Sequence, residues 1–178
     1  MIANQVGIVE WLIEDKFHAD WQSTKDDYGN DLVLLTTGAD HLEMLKWLVE
    51  RKGLPLNSRN RQGRGAVLMA ARYGCFEILK WLIEEKKLSL NDMDSAKSNV
   101  VLAGARSGNL ALLKWLIDEK NLSLSTTDAA GNTPCLMASQ SGNVDMMEWL
   151  INEKNNLYLF KNQQFPLETT TLLKIMES

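Results

Sequence analysis

The sequence predicts an all-α solenoid of about four to five helical repeat units, with short extended loops between helix pairs. Three observations predict it. A Trp-Leu dipeptide recurs at Trp11-Leu12, Trp47-Leu48, Trp81-Leu82, Trp115-Leu116 and Trp149-Leu150, at intervals of 36, 34, 34 and 34 residues. Each pair sits in a segment with helical periodicity. Each of the last three is preceded by a shorter apolar segment and a glycine turn. Five of the six tryptophans occupy this one position, which chance does not arrange.

The longer helix reads FEILKWLIEEK at 76–86, LALLKWLIDEK at 110–120 and VDMMEWLINEK at 144–154. Earlier versions read LEMLKWLVERK at 42–52 and VGIVEWLIEDK at 6–16. At about 100° per residue, Phe76, Ile78, Leu79, Leu82 and Ile83 share one broad side, and Glu77, Lys80 and Glu84 the other. Trp81 falls at the border and reads as a wedge against the next unit's helix. Lysines close the helices at Lys16, Lys52, Lys86, Lys120 and Lys154, where the macrodipole favours cations.

The shorter helix reads AVLMAARY at 66–73, VVLAGARS at 100–107 and PCLMASQS at 134–141. Its small residues allow close packing. Gly74-Cys75, Gly108-Asn109 and Gly142-Asn143 follow as tight turns, and glycine there suits a left-handed helix terminus. The loops at 88–99 and 122–132 carry a leucine pair and then turn formers. One unit cannot bury both faces of its helices, but stacked units can.

This pattern resembles the ankyrin repeat: an Asp-x-x-Gly-x-Thr-Pro-Leu-His opening, an Ala-Ala helix, a Gly-His turn, and a helix ending in Leu-Leu. The stretch Asp128 to Asn143 matches best, with Gly131, Thr133-Pro134 and Gly142 in place. The unit opening at Asn60-Arg61-Gln62-Gly63 is next. The unit at Asp27-Tyr28-Gly29-Asn30 keeps the opening but carries Asp40 where the turn glycine belongs. Tetratricopeptide repeats share the period, but they separate Trp from Leu and place the glycine differently.

The resemblance implies a repeat array over 1–157: a half-repeat at 1–26, then repeats at 27–60, 61–94, 95–128 and 129–157. Residues 158–178 form a C-terminal capping segment, with a helix expected over Leu167 to Glu177; a linear motif or secretion tag is the alternative reading there. The first unit has no inner helix, so either the array starts on a half-repeat or the chain is cut from something longer. The sequence departs from the family at the histidine of Thr-Pro-Leu-His, which is Leu34, Leu68, Leu102 and Leu136 here. That histidine supports the loops by hydrogen bonds, so its loss implies less regular loop fingers.

Composition excludes several function classes. The formal net charge of −4 argues against a general nucleic-acid or anionic-membrane binder. No apolar run approaches the ~20 residues that span a bilayer, and no secretory signal is expected. Cys75 and Cys135 read as reduced thiols, which implies a cytoplasmic protein. Cys75, at a turn, is the more accessible of the two by this reading, while Cys135 packs. His18 and His41 lack companions at ligand spacing, so no metal and no cofactor is expected. No acid, base and nucleophile set emerges, so no catalytic residue is assigned and the chain is expected not to be an enzyme.

The resemblance implies a non-catalytic protein-protein interaction scaffold that binds a partner protein on its concave face. In that family, loop tips and the outward side of the short helices form this surface. Carried over by position, it comprises Arg59, Arg61, Arg64, Met69, Arg72, Tyr73, Arg106, Met137 and Gln140. Five of the six arginines fall there. A guanidinium fork suits carboxylate or phosphate, which points to an acidic or phosphorylated segment, with Met69 and Tyr73 as apolar anchors. The bland alternative pairs these arginines with neighbours such as Asp92 and Asp94. A stand-alone inhibitor that occludes its partner is the alternative function, and nucleic-acid binding through the arginines a minor one. In style the repeats resemble ankyrin proteins of intracellular bacteria, protists and large viruses. That implies host cytosol if the chain is a translocated effector.

Overall fold

The structure, a computed structural model, describes residues 23–153. The expectations for Trp11, His18 and the capping segment at 158–178 lie outside the described residues, as does most of the half-repeat at 1–26. Within them, helices alternate in pairs. The inner helices are α1 (Leu32–Gly38), α3 (Ala66–Tyr73), α5 (Val100–Ser107) and α7 (Pro134–Ser141). The outer helices are α2 (Leu42–Lys46), α4 (Phe76–Lys80), α6 (Leu110–Lys114) and α8 (Val144–Glu148). Successive inner helices pack on one another, α1 on α3, α3 on α5 and α5 on α7. No strand occurs among the described residues.

Each outer helix continues through its tryptophan into one wider, π-helical turn: Trp47–Arg51, Trp81–Glu85, Trp115–Glu119 and Trp149–Glu153. The amides of Lys52, Lys86 and Lys120 donate to the carbonyls of Trp47, Trp81 and Trp115, five residues back, at 3.2, 3.1 and 3.0 Å. The chain then turns through a left-handed residue, Gly53 (φ 71°), Lys87 (φ 57°) or Asn121 (φ 55°).

Inner helices begin on side-chain caps. Asp31, Asn99 and Thr133 accept from the amides of Leu34, Leu102 and Leu136, while Gly65 leaves α3 without such a cap. They end at Gly74, Gly108 and Gly142, all left-handed. Asp40 takes that conformation in the first unit (φ 58°), which agrees with its placement at the turn-glycine position.

The loop fingers are regular, contrary to the expectation from the lost histidine. Asp26, Asn60, Asp94 and Asp128 each accept, through one side-chain oxygen, the amides two and four residues on. The first unit therefore uses Asp26, not Asp27, in this role. Backbone bonds join neighbouring fingers: Arg61 to Tyr28 (2.9 Å), Ser95 to Gln62 (2.9 Å) and Ala129 to Ala96 (2.8 Å). Carboxylate and amide turns do the work of the histidine. The substituting Leu34, Leu68 and Leu102 are buried in the core instead.

The core is continuous from unit to unit. Ile78, Leu79 and Leu82 are fully buried, and so are their counterparts Leu112, Leu113 and Leu116. The tryptophans are buried between units. Trp115 meets Phe76 of the preceding unit edge-on, with centroids 5.7 Å apart. Lys114 lies over Trp149 of the following one. Lys86 and Lys120 cover Trp81 and Trp115 and reach back to Glu50 and Glu84, at 2.6 and 2.8 Å. The tryptophans do lie between units, but the reading of a wedge against the next unit's helix is corrected: Trp115 and Trp149 meet residues of the unit before them.

Candidate functional site

The repeat period sets the site's geometry. Gly38, Arg72, Arg106 and Gln140 occupy one position on successive inner helices, and Ala39, Tyr73, Ser107 and Ser141 the next. Because successive inner helices stack, these positions form a strip across the array.

The five arginines divide into two groups. Arg59 donates to the Gly63 carbonyl and to Asp92, both at 2.7 Å. Its ion pair with Asp92 holds the guanidinium above its usual range. Arg61 donates to the Asp27 carbonyl in the preceding finger. Arg64 pairs at 3.0 Å with Asp94, whose side chain is only 4% exposed. These three hold fingers to their neighbours, so the alternative pairing with Asp92 and Asp94 describes Arg59 and Arg64.

Arg72 and Arg106 are different. Neither forms an ion pair among the described residues. Arg72 is half-buried, and its guanidinium is held below its usual range by burial first, then by the charges of Arg64 and Arg106. Arg106 is exposed, and its Nη1 leans on the Met137 sulfur at 3.6 Å. Asp94 and Asp128 act on Arg72 and Arg106 through their charge without forming an ion pair with them, which leaves both guanidinium forks open to an added anion.

Met69 and Met137 are corrections. Each is only 4% exposed, because the adjoining inner helix covers that face, so neither is a surface anchor. Met69 serves as a core residue near Gly38 and the Asn60 amide. Tyr73 is 58% exposed and Gln140 is exposed. Leu35, at the position of α1 equivalent to Met69, is 41% exposed, since no inner helix precedes α1 among the described residues. The ring of Tyr73 closes over Gly38, where an added Cβ would meet it at 3.3 Å.

Both thiols are buried. Cys75 is buried rather than accessible, and burial, with Asp40 beside it, pushes its thiol up to about 11. Burial pushes Cys135 up to about 12. Among the described residues no group of three His, Cys, Asp or Glu side chains converges to hold a metal ion, and no helix is long and apolar enough to cross a membrane. Two open grooves at the loop bases, one beside Leu56, Gly65 and Asp92, the other beside Leu90 and Asn99, are related by the 34-residue shift. They follow from the repeat.

The paired helices, the glycine turns and the stitched fingers define a class of protein, the helical repeat arrays. Residues 1–94 match the family described as Ankyrin repeats (3 copies), and residues 101–151 the one described as Ankyrin repeats (many copies). The chain belongs to the ankyrin repeat family. No curated protein matches it. Ankyrin repeats are generally protein-protein interaction modules, and proteins of the family are typically non-catalytic.

Proposed function

We propose that this chain is a non-catalytic scaffold that binds a partner protein along the exposed side of its inner helices, which is the concave side of ankyrin arrays. The observation that carries this is the Arg72–Arg106 pair. Two guanidiniums at equivalent positions, unpaired within the described residues, stand beside an exposed Tyr73. A cationic strip with an aromatic edge suits an acidic or phosphorylated segment. The proposed setting is the cytoplasm.

Affinity capture from eukaryotic cell lysate tests the reading, comparing the wild-type chain with Arg72→Glu/Arg106→Glu. Arg64 is left intact, because reversing it would strand the buried Asp94 carboxylate. Circular dichroism first establishes that both proteins fold alike. Proteins retained by wild type and lost from the variant support the reading. Identical sets reject it.

A further inference from the structure

The strip is not uniform. Its chemistry changes once per unit, in a fixed order. At the first described unit it carries no charge: Tyr73 covers Gly38 where later units carry a long side chain. The next two units present Arg72 and Arg106, and the fourth presents the neutral Gln140.

The two guanidiniums do not converge on one point. Arg106 turns its Nη1 toward Met137 in the following unit, away from Arg72. Packed helices lie about 8–10 Å apart. A polyproline II segment advances about 3.1 Å per residue with three residues per turn, so its positions i and i+3 face one side about 9 Å apart. One unit therefore corresponds to about three residues of such a ligand.

Resting on the reading above that this side binds a partner, we infer that the strip reads an acidic segment of a partner protein, held in polyproline II conformation, in register. An apolar side chain sits on Tyr73, and carboxylates spaced i and i+3 sit opposite Arg72 and Arg106. Charge complementarity selects the occupant, since each guanidinium fork matches one carboxylate. A single phosphate would need both forks on one oxyanion, which the orientation of Arg106 opposes.

The test uses the full chain and fluorescein-labelled peptides of about twelve residues, followed by anisotropy. Each peptide carries one Phe and two Glu, with the Glu residues two, three, four or five positions apart and the Phe on either side of them. A further peptide carries a single phosphoserine. The i, i+3 peptide binds tightest, by roughly fivefold or more over the other spacings. In Arg72→Gln, replacing one particular Glu by Gln has no further effect, and in Arg106→Gln the same holds for the other Glu. Tyr73→Ser weakens only peptides that carry Phe.

Equal affinity at every spacing, still lowered by the arginine variants, overturns the register while leaving the proposed binding side intact. Tighter binding of the phosphoserine peptide does the same. Peptide binding that neither arginine variant alters, or no binding of any peptide, overturns both readings.

Discussion

Asn109 donates from Nδ2 to the carbonyl oxygen of Gly74, one unit earlier, at 2.8 Å. Its Oδ1 meanwhile caps the amide of Leu112. Asn143 repeats both contacts with Gly108 and Met146. One side chain thus starts an outer helix and ties it to the turn of its neighbour. The same position holds His41 and Cys75 in earlier units.

Asn109→Ala removes both contacts. The cap contributes about 1 kcal/mol and the inter-unit bond about another 1 kcal/mol, so a loss of roughly 2 kcal/mol is expected in urea unfolding. Asn109→Asp keeps the acceptor and loses the donor, and loses about half of that. Equal losses in the two variants would show that the cap on Leu112 contributes nothing, and an Asn109→Asp variant as stable as wild type would show the same of the bond to Gly74.

Lys87 and Lys97 hold left-handed backbone, with φ of 57° and 59°. Equivalent units place Gly53 and Gly63 there. Lys87→Gly and Lys97→Gly each stabilise the chain by up to about 1 kcal/mol, because the strained Cβ disappears. Gly53→Ala destabilises it by about 1 kcal/mol. Thermal melts check all three signs.

Stability falls in acid. A hydrogen bond from Lys120 holds Glu84 below its usual range, and one from Asn30 does the same for Asp26. Burial raises Asp128, but bonds from Asn132 and Ala130 and the charge of Arg106 outweigh it and leave it low. A depressed carboxyl contributes stability that is complete above its unfolded value, 3.8 for Asp and 4.5 for Glu, and is lost as pH falls through the folded one. The denaturation midpoint is therefore flat down to about pH 5 and declines below about pH 4. Asp128→Asn makes the acid limb shallower. Parallel limbs would assign the loss to other groups.

Cys75 and Cys135 do not react with a disulfide reagent at pH 8 in the native state, and both react once urea unfolds the chain. Burial holds their thiols at about 11 and about 12. Being raised from 9.0, they contribute stability below pH 9.0 that is lost as pH climbs toward those values. Fast native labelling of Cys75 would show that the turn below it opens locally.

Much of this fold is legible in the sequence, because the repeat multiplies a weak local signal. One Trp-Leu pair means little, but five at nearly one spacing specify a stacked array. The π-helical turns are not legible, since the side-chain pattern of one wider turn is the same as that of an α-helix. The finger ladder was within reach: Asp26, Asn60, Asp94 and Asp128 are spaced by 34 residues. Arg59 and Arg64 look free in the sequence because Asp92 and Asp94 lie a whole unit away. Met69 looks exposed on its own helix and is buried only when the neighbouring helix arrives.

The most direct test of the proposed binding side is a two-dimensional NMR titration of the arginine Nε–Hε signals with the i, i+3 acidic peptide. Six arginines give six signals, and Arg51 on an outer-helix turn serves as an internal reference. Saturating shifts at Arg72 and Arg106, with Arg51 unmoved, are the predicted result. Shifts confined to Arg51, or none at Arg72 and Arg106 while the peptide binds, would contradict it.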